Sequence, residues 1–235
     1  MAARALLTRA AVVLTTALVA LCSGACQSQD GAAPPSASAS ASASESTPPP
    51  FPYPPFEIRT DVAVPLAPPL ADAARFALQM SVDDRLINDP GRDELYQSYR
   101  SRIAPEADGD RLRNPDAYVG ETGGALHRAV AARELPDGVV EVSICLYDTP
   151  GLYAVKKDGE LVKPAGGADA LWRPRVTWTD RKAADGSTPP GPRWLLLNTG
   201  VLNDLTPEQI GEVCDPYRPD PFVQEAPAPT STPPK

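Results

Sequence analysis

Proline placement limits this chain more than any other feature. Of its 235 residues 29 are proline, and eleven of these fall between Pro34 and Pro69. Proline fixes φ and lacks a backbone N–H, so such density opposes helix and disfavours sheet. The same stretch contains "SASASASASES" followed by "TPPPFPYPPF", a two-letter repeat and a polyproline-like run. Neither has the apolar periodicity that builds a core. A second proline-rich segment, "VQEAPAPTSTPPK", ends the sequence. These two segments confine the expected folded unit to residues 66–222, with a disordered stalk over 26–65 and a disordered tail over 223–235.

Residues 1–25 have a different character. Arg4 and Arg9 precede an apolar run from Ala10 to Leu21, and small residues follow with no acidic group. A positive start, a short apolar centre and a small-residue exit make a secretory signal peptide. The run is too short to span a bilayer, which takes about 20 apolar residues. Without this segment the formal charge moves from -8 to -10. Such an acidic chain opposes nucleic-acid binding, which needs a basic face. It equally opposes electrostatic docking to anionic lipid.

Periodicity begins at Leu70. Leu70, Ala73, Ala74, Ala77 and Leu78 lie on one helical face, and the spacing predicts a helix over 70–87. A second helix is expected over 93–103, with Asp93 and Glu94 in its first turn, where the helix dipole favours acids. Strands follow. "ALHRAVAARELPDGVVEVSICLYD" reads as a hairpin turning at Pro136-Asp137-Gly138, and "LYAVKKDGELV" as another turning at Asp158-Gly159. Val140, Val142, Ile144 and Leu146 alternate with Glu141, Ser143, Cys145 and Tyr147, the mark of a sheet with one buried face. "LWRPRVTWTD" and "RWLLLNTGVLN" make later strands, and Pro174 places the first near an edge or bulge. Thr206, Pro207 and Gln209 open a short last helix with a capping box. The expected fold is α+β, with N-terminal helices packed on a curved antiparallel sheet and a short C-terminal helix.

Four cysteines divide by position. Cys22 falls inside the signal, and Cys145 and Cys214 inside the folded unit. Cys26 follows Ser23, Gly24 and Ala25, and this stretch resembles the signal of bacterial lipoproteins. The resemblance implies a diacylglycerol, with palmitate-type chains, on Cys26 as the mature N-terminus. The domain would then sit on the extracytoplasmic face of the cell membrane. Cleavage after Ala25 without acylation, giving a secreted protein, is the alternative. The two remaining cysteines of an exported chain are expected to form a Cys145–Cys214 disulfide, on the less apolar side of the sheet.

Catalytic constellations are sparse. The sequence has no phosphate-cradling glycine loop, no Gly-x-Ser-x-Gly and no Cys-x-x-Cys. Its one histidine, His127, is a candidate general base with Asp148 as acid, or with Tyr118. One histidine rules out a histidine-cluster metal site within a chain, and no metal or cofactor is expected. Asp83 and Asp84 read as a solvated helix face, and Trp172, Trp178 and Trp194 as core or rim. Phe51, Tyr53 and Phe56 read as packing against the domain, with docking to a proline-recognition module as the alternative.

Two helices, a "VEVSICLYD" strand, a "DGE" hairpin and a late "RWLLLNTGVLN" strand resemble the nuclear transport factor two-like, or cystatin-like cone, domains. That resemblance implies a cone whose pocket serves catalysis in some members and binding in others, and it brings no catalytic motif. The expectation is an envelope lipoprotein with a non-catalytic binding or accessory domain, its partner a protein or a small apolar ligand. A small-molecule isomerase or dehydratase using His127 is the alternative.

Overall fold

In a computed structural model of the chain, residues 52–87, 92–108, 118–163, 169–200 and 205–230 are described. The chain divides at Thr47/Pro48, and every described residue belongs to the second unit. The signal peptide, Cys22, Cys26 and most of the expected stalk lie outside the described residues.

The architecture is α+β: among the described residues, an open, curved, mixed sheet of seven strands with three helices. The first element is a strand that the proline argument assigned to the stalk. Strand β1 (Glu57–Val62) occupies the proline-free window between Pro55 and Pro65 and pairs in parallel with β2 (Gly120–Glu134). The sheet is therefore mixed and not antiparallel throughout. Ordered chain begins well before residue 66. An edge strand tolerates prolines at its ends because only one of its sides must donate to a ladder. Arg128 clamps it from β2, placing two nitrogens 2.7 and 2.6 Å from the Asp61 carboxylate oxygens.

Helix α1 spans Leu70–Leu86, as its apolar spacing requires. Helix α2 is shorter than its periodicity suggested, Asp93–Arg100. The following backbone does other work: Ala104 N–H donates to Leu196 O at 2.8 Å, and Leu196 N–H to Arg102 O at 3.0 Å. These bonds cover the outer edge of β7 (Arg193–Asn198), where bare strand groups would otherwise face solvent.

Strand β3 (Val139–Val155) is the spine of the sheet. It takes in both "VEVSICLYD" and "LYAV", which the sequence divided between two hairpins. Pro150 and Gly151 do not end it; the pairing slips between Gly124 and Leu126 and then resumes. Such bulges bend a strand and increase its twist. The turn into β3 is built as expected, with Asp137 at φ 62 and Gly138 at φ 69. On the other side β3 pairs with β4 (Leu161–Val162), β5 (Asp169–Trp172) and β6 (Arg175–Thr179). Pro174 sits at the break between β5 and β6, next to the irregularity at Arg175/Val176 in the β6–β7 pairing, which fits the bulge alternative. Its carbonyl still accepts from Val142 N–H at 3.0 Å, a bond that makes no demand on the missing proline N–H.

Both faces of β3 are buried, where one was expected. Val140, Val142 and Ile144 join Ala73, Ala74, Ala77, Met80 and Tyr99 in the larger core. Cys145 and Tyr147 join Leu126, Val130, Leu171 and Cys214 in a second core. The cover on that second side is α3 (Pro207–Cys214) with Tyr217 and Phe222. Its helix opens on the Thr206–Gln209 capping box. Cys145 and Cys214 are disulfide-bonded, with Cα atoms 5.7 Å apart, and both are fully buried. The bridge thus lies in the smaller of the two cores, on the face of β3 that also carries Glu141, as expected of the less apolar side. Glu141, on the same face, is only 6% exposed and held between Arg133 and Arg175 at 2.7 and 3.1 Å. Burial opposes its ionised form, yet the two arginines outweigh that and hold its carboxyl below the usual range.

The tail from residue 223, expected to be disordered, is described as far as residue 230, and residues 231–235 lie outside the described residues. Residues 223–230 form no helix or strand, but the Gln224 carbonyl accepts from the Tyr153 hydroxyl of β3 at 2.8 Å, and Thr230 N–H donates to Pro52 O at 2.8 Å.

Candidate functional site

His127 is the natural starting point, being the one histidine. It lies on β2 and is 2% exposed, so it is a core residue and not one at a sheet margin. Its Nδ1 is 2.9 Å from Ser81 Oγ of α1. The Ser81 hydroxyl donates to Leu78 O at 2.7 Å, which uses its single proton. Ser81 therefore accepts from His127, and this hydrogen-bond logic assigns the imidazole proton to Nδ1. Burial, reinforced by the positive charge of Arg85, holds the imidazole pKa down at about 4. Arg85 itself lies 2.5 Å from both carboxylate oxygens of Glu121 and over the Phe56 ring. A neutral imidazole at pH 7 has the protonation state of a base. What it lacks is the expected partner.

Asp148 is engaged elsewhere. Its carboxylate accepts from Leu152 N–H and, at 3.0 Å, from the Gln224 amide, with Lys163 Nζ at 3.6 Å. Tyr118 is 45% exposed. The structure thus brings His127 to Ser81 and Trp172, whose ring centroid lies 6.4 Å away, and joins it by no hydrogen bond to Asp148 or Tyr118 among the described residues. Beside this pair is a cavity of about 10 Å³ lined by Met80, Ser81, Asp84, Tyr99, Trp172 and Thr199 among others. That is space for one water, not for a substrate.

The paired aspartates are not a solvated face. Asp83 is 3% exposed and accepts from Gln79 at 2.9 Å and Arg102 at 2.6 Å. Asp84 accepts from the Tyr99 hydroxyl at 2.9 Å. The two side chains diverge, as adjacent helical residues do, and each fastens α1 to the α2 region. Trp172 and Trp194 pack against the larger core, whereas Trp178 is 58% exposed and meets Trp194 edge to face at 5.6 Å.

Among the described residues no group of three His, Cys, Asp or Glu is placed to hold a metal ion. No helix among them is long and apolar enough to cross a membrane. The polar cluster that sequence reasoning missed lies further along β3, where Asp148, Tyr153 and Gln224 meet. A glutamine within a proline-rich tail gave no local sign of it. No family model, curated protein or solved structure matches the chain.

Proposed function

We propose that the chain is an exported envelope lipoprotein, acylated at Cys26, whose folded unit is a binding or accessory domain and not an enzyme. One observation carries this reading: the buried Cys145–Cys214 disulfide, which ties β3 to the end of α3. Such bridges form and persist in oxidising compartments outside the cytosol. The leader "MAARALLTRAAVVLTTALVALCSGAC" supplies the route, and the Ala/Ser/Pro-rich stretch behind Cys26 supplies reach. Each methylene buried in lipid contributes about 0.8 kcal/mol, and two or more chains are needed for lasting attachment. The domain is read as cone-like, from the order of a helix pair followed by long paired strands. Fold likeness names no reaction. Catalysis by His127 would need an acid within reach, whereas its hydrogen bond goes to Ser81 in a packed interior.

Intact mass of the membrane-extracted protein tests the proposal. The expected product starts at Cys26, carries at least two acyl chains and is lighter by the two hydrogens of a disulfide. Cys26→Ser should abolish acylation and release the domain from the membrane. An unacylated product in the medium would reassign the chain to the secreted class. A full-length product in the cytosol would overturn export.

A further inference from the structure

Residues 223–230 form no helix or strand, yet Gln224 and Thr230 are held by specific hydrogen bonds. The Gln224 amide donates to the Asp148 carbonyl at 3.1 Å and to its carboxylate at 3.0 Å. The Gln224 carbonyl accepts from the Tyr153 hydroxyl at 2.8 Å. Beneath them Gly151, at φ +123, offers bare backbone: a Cβ there would lie 3.3 Å from the Gln224 backbone and 2.9 Å from the Tyr153 ring. Lys163 stands over that ring, 6.0 Å from its centroid. At the far end, the Thr230 N–H and hydroxyl both donate to Pro52 O, at 2.8 and 3.2 Å. Val223, Gln224 and Pro227 are half-buried, and the residues around Pro227 are exposed.

This pattern is one of peptide recognition. Asp148 reads a side-chain amide, Tyr153 reads a main-chain carbonyl, and glycine lets the backbone approach. Pro227 and Pro229 have no N–H to leave unpaired, so an extended arm suits a shallow groove. The β3 contacts to the arm come from Asp148 and from the Tyr153 side chain, and β3 keeps its ladder bonds to β2. The arm can therefore leave without breaking the sheet.

We propose that Asp148, Gly151 and Tyr153 form a binding site for an extended, proline-containing peptide anchored by a glutamine. The chain's own arm, residues 223–230, occupies it as a displaceable intramolecular ligand. This gives the binding domain proposed above a ligand class and rests on that reading for its use. The site itself stands apart from export and acylation, so its test on purified protein and the mass measurement fail separately.

The test uses a fluorescent peptide of residues 223–230 and a chain ending at Phe222, which retains both disulfide cysteines. A tethered arm competes at an effective concentration of about 1 mM. The peptide should bind the shortened chain saturably and at least about tenfold more tightly than the full chain. A peptide with Gln224→Ala, lacking the two amide bonds, should bind about tenfold more weakly. No saturable binding at millimolar peptide, or equal binding by the altered peptide, overturns the proposal. Should the shortened chain fail to fold, full-length Gln224→Ala decides: its weakened arm should admit the unaltered peptide several-fold more tightly than the unaltered chain does. Equal affinity of those two chains overturns the site.

Discussion

Lowering the pH from 7 to 4 should destabilise the domain through His127 in a calculable way. The folded imidazole has a pKa of about 4, held down by burial and by Arg85, against about 6.5 in an unfolded chain. The unfolded state therefore takes up a proton that the folded state refuses. The stability due to neutral His127 is fully present above pH 6.5 and drains away as pH falls towards 4. Below that both states are protonated and the loss stops. Linkage puts the loss at about 2 kcal/mol by pH 5 and about 3 kcal/mol by pH 4. The reference is His127→Gln, which keeps an amide to face Ser81 and cannot titrate. Urea denaturation of both proteins at pH 7, 6, 5 and 4 should show the unaltered chain losing stability relative to the variant by those amounts. Glu141, whose folded pKa is depressed, loses its stabilising charge at the acid end, but it does so in both proteins and cancels. Parallel pH profiles for the two would refute the reasoning, because they would mean that His127 exchanges protons as freely folded as unfolded.

Replacing Cys145 and Cys214 together by alanine opens a loop with a sequence separation of 69. The chain-entropy relation puts the loss at about 4 kcal/mol, to be read as a shift in the urea midpoint. Tyr147→Phe removes a buried hydroxyl that donates to Cys214 O at 2.6 Å and should cost about 1–2 kcal/mol in the same assay. Gly123→Ala should cost about 3 kcal/mol or more, seen as a lowered Tm or insoluble expression. Its φ is +85, and the new Cβ would fall 1.9 Å from Gly151 O.

Legibility followed locality. Helix α1 was readable because its apolar spacing is a property of consecutive residues, and its observed span, Leu70–Leu86, differs by one residue at the end. The capping box of α3 and the turn at Pro136-Asp137-Gly138 were readable for the same reason. Strand β1 was missed because proline density was averaged over a window that hid six proline-free residues. Helix α2 ends early because residues 102–104 are required at the edge of β7, which lies some ninety positions later in the chain. Asp148 was singled out as an acid for His127, but the structure gives it to Gln224, and nothing near either residue in sequence joins them.

The sequence by itself determined helix α1, the capping box of α3, the turn at Pro136-Asp137-Gly138, the acidic charge and the single histidine. Each of these is settled by residue type or by spacing within a few turns. Tertiary structure alone decided that β3 is buried on both faces, that His127 is a neutral core residue bonded to Ser81, and that Gln224 of the proline-rich tail is hydrogen-bonded to β3. The physical reason is that burial is a relation between distant segments. Cys145 and Tyr147 alternate with the apolar residues of β3 whatever covers them, and only the arrival of α3 turns that side of the strand into a second core.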